Sequence, residues 1–338
     1  MSDAEKILLI RLKSIGDILF TLPAVHRLRD NFPRARMSFL TSKEHAPILD
    51  GFAEVDETIA LDRALFQQRR VKAIWAHTLE VTRRLRRGRF SLVVDFQGYG
   101  ETALLTWLTG APERWGSVYR DRRAWAYTKG PTRDDRIHPA DWNISLLSQC
   151  GLKPGPVRNE FHLPSDSVNS ALCCFTEQHL DPARPTLYLQ PYTSSPHKNW
   201  PLENYLALAA HWRSRGLQII FGGGPADRLA LEPAHNEGHV VSAGVPMLTT
   251  AGLMKLSTLV VGGDTGTLHL AVAMGKRVVM VVNSTRPGVV PYGHPDWAVT
   301  PRDAQPVAGT EVGAVVKACA AALAAIGGAD LSLIARTT

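Results

Sequence analysis

One pattern restricts the fold more than any other. A short, unbroken apolar run, a turn, and then apolar residues at helical spacing recur along almost the whole chain. The first instance is Lys6-Ile-Leu-Leu-Ile-Arg11, too short for a core helix and too uniformly apolar for a strand with one wet face. A run of this kind reads as a parallel strand covered on both sides. Leu19, Leu22, Val25, His26 and Leu28 then follow at the spacing of a helix. Further strands are expected at 37–41, 57–61, 91–97 and around 114–118, with Val71, Ile74, Trp75, Leu79 and Leu85 on one face of an intervening helix. Strand and helix in alternation imply a parallel sheet clothed by helices on both faces.

The pattern weakens between about 151 and 185. Gly151-Leu-Lys-Pro-Gly-Pro156 and Asp181-Pro-Ala-Arg-Pro185 are turn-rich and bracket one helical stretch at 167–179. A second series of strands follows at 186–190, 217–221, 239–242, 258–261 and 277–282. The expected division is therefore residues 1–160 and 161–338, and a chain of 338 residues that is 45% hydrophobic can fill two cores. A final alanine-rich helix at 312–326 either caps the second domain or packs back on the first.

No apolar stretch approaches the roughly 18 to 20 residues that a membrane-spanning helix needs, and Met1 to Glu5 are polar, so the expectation is a cytoplasmic protein. Cys150, Cys173, Cys174 and Cys319 lack metal-ligand spacing and read as buried thiols, with no metal site. The net charge of +7 is uneven: residues 1–160 hold 26 lysines and arginines against 19 acids, and the remainder holds 12 against 12. The excess is densest in Arg63-Ala-Leu-Phe-Gln-Gln-Arg-Arg-Val-Lys72 and Arg83-Arg84-Leu-Arg86-Arg87-Gly-Arg89, with more at Arg114, Arg120, Arg122, Arg123, Arg133 and Arg136. These are either solvated helix faces or an attraction for phosphates, and no nucleic-acid-binding motif accompanies them.

Four loops can carry chemistry. Lys13-Ser14-Ile15-Gly16-Asp17 sits at the first strand-to-helix junction, where Asp17 is either a helix-terminal carboxylate or a general base that takes a proton from a hydroxyl. Thr258-Leu-Val-Val-Gly-Gly-Asp264-Thr265-Gly266-Thr267-Leu268-His269 runs from a strand into a helix, whose first N–H groups form a seat for a diphosphate. There Asp264 is an N-cap or a sugar contact, and His269 a satisfied helix residue or a ligand contact. Thr193-Ser194-Ser195-Pro196-His197-Lys198 offers hydroxyls and an ammonium to a phosphate, and Phe221-Gly222-Gly223-Gly224-Pro225 is a plain turn or a place for a nucleobase or ribose. The fingerprints of dinucleotide binding, of P-loop phosphate binding, of zinc proteases and of the nucleophile elbow are absent.

In their order along the chain, Lys13-Ser-Ile-Gly-Asp17-Ile-Leu-Phe-Thr-Leu-Pro-Ala24, Val94-Asp95-Phe-Gln97-Gly98, Lys198-Asn-Trp-Pro201 and Gly263-Asp264-Thr-Gly-Thr-Leu-His269-Leu-Ala271 resemble glycosyltransferase family nine, the bacterial ADP-heptose:lipopolysaccharide heptosyltransferases. The resemblance spans nearly the whole chain. It implies an α/β fold of two facing Rossmann-like domains of the GT-B type with a cleft between them, the first binding the acceptor and the second the nucleotide sugar. It implies an inverting, metal-independent transfer of heptose from ADP-heptose, with ADP as product and no cofactor required. Asp17 matches the family's base, with Ser14 beside it toward the donor phosphates. Thr193, Ser194 and Lys198 match the phosphate loop, Asp264 the heptose contact, Thr265, Gly266 and Thr267 the diphosphate seat, and His269 a further donor contact. The implied acceptor is an anionic glycolipid, Kdo-lipid A or an already heptosylated core, reached at the inner face of the inner membrane. Gln97, Arg120, Arg122 and Arg123 are the candidates for holding it. A related transferase using another nucleotide sugar on a different polysaccharide, or a nucleotide-sugar-binding protein without turnover, are the alternatives.

Overall fold

Strand β1 (Lys6–Ile10) lies in the middle of its sheet, and Ile7 to Ile10 are wholly buried, which is why the run carries no polar alternation. The computed structural model describes residues 5–63, 71–302 and 305–326; stretch 64–70 of the basic run and the side chains of 71–78, Val71, Ile74 and Trp75 among them, lie outside the described residues. The chain divides into two units, Met1–His162 and Leu163–Thr338.

In the first unit β1 is joined by β2 (Arg36–Ser42), β3 (Glu57–Leu61), β4 (Leu92–Asp95) and β5 (Glu113–Gly116). Every pair is parallel and the order is β3-β2-β1-β4-β5. The chain builds outward from β1 on one side and then returns to β4 on the other, so the order reverses between β1 and β4. Loops that leave a doubly wound sheet at such a reversal diverge to opposite faces, and ligands settle beyond those carboxyl ends. The helices are α1 (Ile15–Leu19), α2 (Leu22–Asn31), α3 (Val71–Gly88), α4 (Gly100–Leu108) and α5 (Pro139–Gln149). Helix α2 buries Leu22, Val25, His26 and Leu28, as their spacing requires. Helix α3 buries Leu85 among Leu8, Ile10 and Val93, but Leu79 is exposed, against the single apolar face expected from sequence.

The second unit repeats the plan with α6 (Ser165–Glu177), β6 (Thr186–Gln190), α7 (Leu202–Arg213), β7 (Gln218–Gly223), α8 (Glu232–Asn236), β8 (Val240–Ala243), α9 (Met247–Leu256), β9 (Leu259–Gly263), α10 (Gly266–Ala273), β10 (Val278–Val281), β11 (Ala298–Val299) and α11 (Val312–Ile326). The order is β11-β10-β9-β6-β7-β8, again all parallel, with the reversal between β6 and β9. Leu187, Leu189, Phe221, Val261 and Val281 fill the sheet side of one core, against Trp200, Tyr205 and Trp212. Val315, Cys319, Ala322 and Leu323 of α11 enter the same core, so the last helix is part of the second unit's packing.

The four cysteines are not all buried, as the sequence reading had them: Cys150 and Cys319 are, Cys174 is half-buried and Cys173 exposed. Helix α6 turns Ala171 and Phe175 inward, and that phase carries Cys173 to the outer face. Among the described residues no helix is long and apolar enough to cross a membrane.

Candidate active site

In each unit the residues singled out from sequence gather at the reversal point of the sheet. In the first, the chain leaves β1 through Arg11 to Ser14 and enters α1 with Ser14 as its cap residue. The Ser14 hydroxyl donates to Asp17 Oδ2 at 3.2 Å, and Arg11 Nη2 reaches the same oxygen at 2.6 Å. Asp17 is thus both a helix-terminal partner and, with its side chain 38% exposed, an accessible carboxylate. Arg11, only 9% exposed, is the residue that sequence reasoning missed. Its Nη1 donates to the Phe96 carbonyl and its Nε to the Lys13 carbonyl, both at 2.9 Å, so it locks the Asp17 loop to the segment after β4. An arginine directly behind a fully apolar strand was the available signal.

That second segment, Asp95-Phe-Gln97-Gly98, is a brace. Gln97 is fully buried, and its Oε1 accepts the Leu12 N–H at 2.8 Å. As an acceptor-sugar candidate it is therefore placed beneath the surface and not on it. Asp95 Oδ1 accepts the N–H groups of Gln97 and Gly98 at 2.9 Å each, and Oδ2 accepts the Tyr127 hydroxyl at 2.7 Å. Burial pushes the Asp95 carboxyl above the ordinary aspartate value, although the hydrogen bonds it accepts from Gly98 and Tyr127 pull the other way. Gly98 has φ +67°, and a Cβ there would sit 1.9 Å from the Ser117 carbonyl oxygen, so only glycine makes this turn. Of the three candidate arginines, Arg120 and Arg122 are exposed, while Arg123 is half-buried and donates to the Gly98 carbonyl at 3.0 Å.

In the second unit, Lys198 Nζ meets Asp264 Oδ2 at 2.7 Å, and His269 Nε2 meets Asp264 Oδ1 at 3.2 Å. Burial pushes the Asp264 carboxyl up, but hydrogen bonds from His269 and Lys198 and their charges outweigh it and hold the group below the ordinary aspartate value. The N-cap position of α10 belongs to Thr265, so Asp264 stands just outside the helix with its carboxylate turned to the lysine. Gly266 and Thr267 open the helix, where N–H groups have no partner within the helix itself. Gly263 lets this loop press on its neighbour, since a Cβ there would lie 3.0 Å from Thr193 Cγ2 and 3.1 Å from the Lys198 carbonyl oxygen. Thr193 is tied down: its hydroxyl lies 2.9 Å from both Asn199 Oδ1 and the Ser195 carbonyl oxygen, which share its one proton, and Asn199 Oδ1 also accepts the Thr193 N–H. Asn199 is a second residue that sequence reasoning passed over. Ser194 stands exposed at the tip. On the next strand, the Gly224 N–H donates to Asp227 Oδ2 at 2.7 Å, which adds a carboxylate beside the glycine turn after β7. Because β9, β6 and β7 are adjacent, these three loops share one end of the sheet.

Among the described residues no group of three or more His, Cys, Asp or Glu side chains is gathered as for a metal ion. What the arrangement offers is a carboxylate able to take a proton in one unit, and in the other a cation and a helix start suited to a diphosphate.

Lipopolysaccharide heptosyltransferase 1 of Pseudomonas aeruginosa is 24% identical over 295 residues, which are 84% of this chain and 80% of that protein. Lipopolysaccharide heptosyltransferase 3 of Escherichia coli is 21% identical over 285 residues, 80% and 81% of the two chains. A solved glycosyltransferase family 9 structure from Veillonella parvula has a TM-score of 0.84 at 20% identity, covering 96% of this chain and 98% of its own. The E. coli heptosyltransferase WaaC with ADP has a TM-score of 0.78 at 20% identity, over 94% and 99%. These likenesses establish the fold, two Rossmann-like α/β domains of the GT-B type. Residues 78–310 match glycosyltransferase family 9 (heptosyltransferase), more than half of the sequence, and the chain belongs to that family of glycosyltransferases.

Proposed function

We propose that the protein transfers heptose from ADP-heptose to the Kdo or heptose inner core of lipopolysaccharide, with inversion at the anomeric carbon and without a required metal. The observation that carries this reading is the Lys198–Asp264–His269 cluster, set beside the start of α10 at the reversal of the second sheet. The likeness to solved structures of E. coli heptosyltransferase WaaC with ADP and with ADP-2-deoxy-2-fluoro heptose supports ADP-heptose as donor.

In this reading the first unit takes the acceptor and the second the donor. The diphosphate lies against the N–H groups of Gly266 and Thr267, with Thr193, Ser194 and Thr265 around it, and Lys198 turns from Asp264 toward it. Asp264 and His269 hold sugar hydroxyls. The acceptor hydroxyl attacks the anomeric carbon through an oxocarbenium-like transition state, Asp17 takes its proton, and the glycosidic bond to the β-phosphate oxygen breaks. Negative charge then grows on departing ADP, where Lys198 and the helix start are worth most. Arg11 and Ser14 position Asp17, and Arg120, Arg122 and Arg123 meet the phosphates and carboxylates of the glycolipid at the cytoplasmic face of the inner membrane.

The test is single-turnover transfer from ADP-heptose to Kdo-lipid A by the native protein and by Asp17→Asn, with ADP affinity measured by calorimetry. The expected result is a fall of about 10² to 10⁴ in transfer with ADP binding kept. Native protein that binds ADP but transfers to neither Kdo-lipid A nor a heptosylated core would discard this acceptor and sugar, and a different nucleotide-sugar pair would take their place.

A further inference from the structure

Helix α4 carries apolar side chains on two faces. Ala103 and Leu105 are buried with Thr102 and Thr106, while Leu104 and Trp107, one turn apart on the other side, are 45% and 48% exposed. A helix packed only for its own unit would keep that outer face polar. Trp125, 55% exposed on the short 3₁₀ turn Asp121–Ala126, meets Trp107 with ring centroids 5.9 Å apart and planes at 72°. The result is one continuous patch of two indoles and a leucine on the surface of the first unit.

Arginines rim it. Arg86 Nε donates to the Leu108 carbonyl at 3.1 Å, which brings the end of α3 against the end of α4. Residues 83–89 contain five arginines and no acid. Arg122 is exposed on the turn that carries Trp125. Of the acids nearby, Glu101 is paired with Arg63 at 3.2 Å, and Asp121 is exposed.

From this juxtaposition, the exposed apolar face of α4 with Trp125 inside a border of arginines, we infer a docking surface for an anionic phospholipid bilayer. Leu104, Trp107 and Trp125 enter the boundary between headgroups and acyl chains, where an indole keeps its ring in an apolar zone and its N–H in a wet one. Arg86, Arg87 and Arg122 lie against lipid phosphates. Charge selects the occupant: a second copy on the same patch would set the arginine borders against each other, whereas an anionic surface neutralises them. The inference rests on the proposed glycolipid acceptor for its purpose, since it would deliver the enzyme to a membrane-embedded substrate.

The test reads binding without catalysis. Native protein is sedimented with vesicles of phosphatidylethanolamine and phosphatidylglycerol, and with vesicles of phosphatidylcholine alone, alongside the double variant Trp107→Ser, Trp125→Ser. Circular dichroism and melting check that the variant is folded. The expected result is binding to the anionic vesicles that weakens with salt, and roughly tenfold or greater loss of partitioning in the double variant. Transfer to a de-acylated, water-soluble core acceptor stays at the native rate in that variant. Equal binding to both vesicle types, equal binding by the double variant, or tryptophan-dependent dimerisation in sedimentation velocity would each overturn the inference. Native protein that docks on vesicles yet transfers heptose to no acceptor would support the docking surface while overturning the proposed reaction.

Discussion

Asp17 Oδ2 is shared between a buried guanidinium and a serine hydroxyl, which makes Arg11 a positioning residue whose loss reaches further than one contact. Arg11→Ala removes the partner of Asp17 and leaves the Phe96 and Lys13 carbonyls without their donor, a change of about 2 to 4 kcal/mol in stability. We expect a lower midpoint in urea together with a lower kcat, and Arg11→Lys should restore part of the stability. In the other unit, Lys198→Ala and Asp264→Asn should not be additive in ADP affinity, because each residue is the other's partner in the free protein; a double-mutant cycle measures the coupling. Acid dependence follows from the same pair. Asp264 is held below its ordinary value of 3.8 in the folded state, so its stabilisation is fully present above that pH and is lost as pH falls from there through the lower folded value. Melting curves of Asp264→Asn should therefore show a shallower loss in that range than the native protein. Asp17, Lys198, Asp264 and His269 could be singled out from sequence because each lies in the loop or helix start that follows a strand. Arg11 had a positional signal directly behind β1, but its contacts and those of Asn199 were not legible, since they are set by hydrogen bonds into a segment 85 residues away and into the turn of a loop.

The strands were the most legible elements, since a strand buried on both faces has to be a continuous apolar run. Two-residue β11 left no such trace, and the exposed faces of α3 and α4 departed from simple periodicity at Leu79, Leu104 and Trp107. The brace between the loops after β1 and β4 gives a prediction at this scale. Gly98→Ala meets both a left-handed φ and the Ser117 carbonyl, and we expect a loss of at least about 2 kcal/mol in urea unfolding, with transfer reduced in whatever fraction remains folded. Gly263→Ala, which meets a movable methyl group and a carbonyl oxygen at 3.0 and 3.1 Å, should cost less in stability but weaken ADP binding through the displaced Lys198 loop.

At the scale of the molecule, each unit has its own sheet, and residues 163–338 contain both faces of their core, including the last helix. Expressed alone, that half should unfold in one cooperative transition and bind ADP within a fewfold of the full chain; a molten far-ultraviolet signal without a transition would refute this. The division into halves was expected from the turn-rich segments that interrupt the alternation and from the positive charge that stops there. Which residues touch at each sheet reversal was not legible in the sequence, because the strands that meet there are far apart along the chain. Lys198 and Asp264 are 66 residues apart. A contact with so large a loop to close forms only once β6 and β9 have paired, which places completion of the proposed nucleotide seat late on the folding route. On the proposed function, a nucleotide thereby becomes a reporter of that long-range pairing: it has nothing to hold before β6 and β9 meet, and by mass action it draws the chain toward the state in which they are in register.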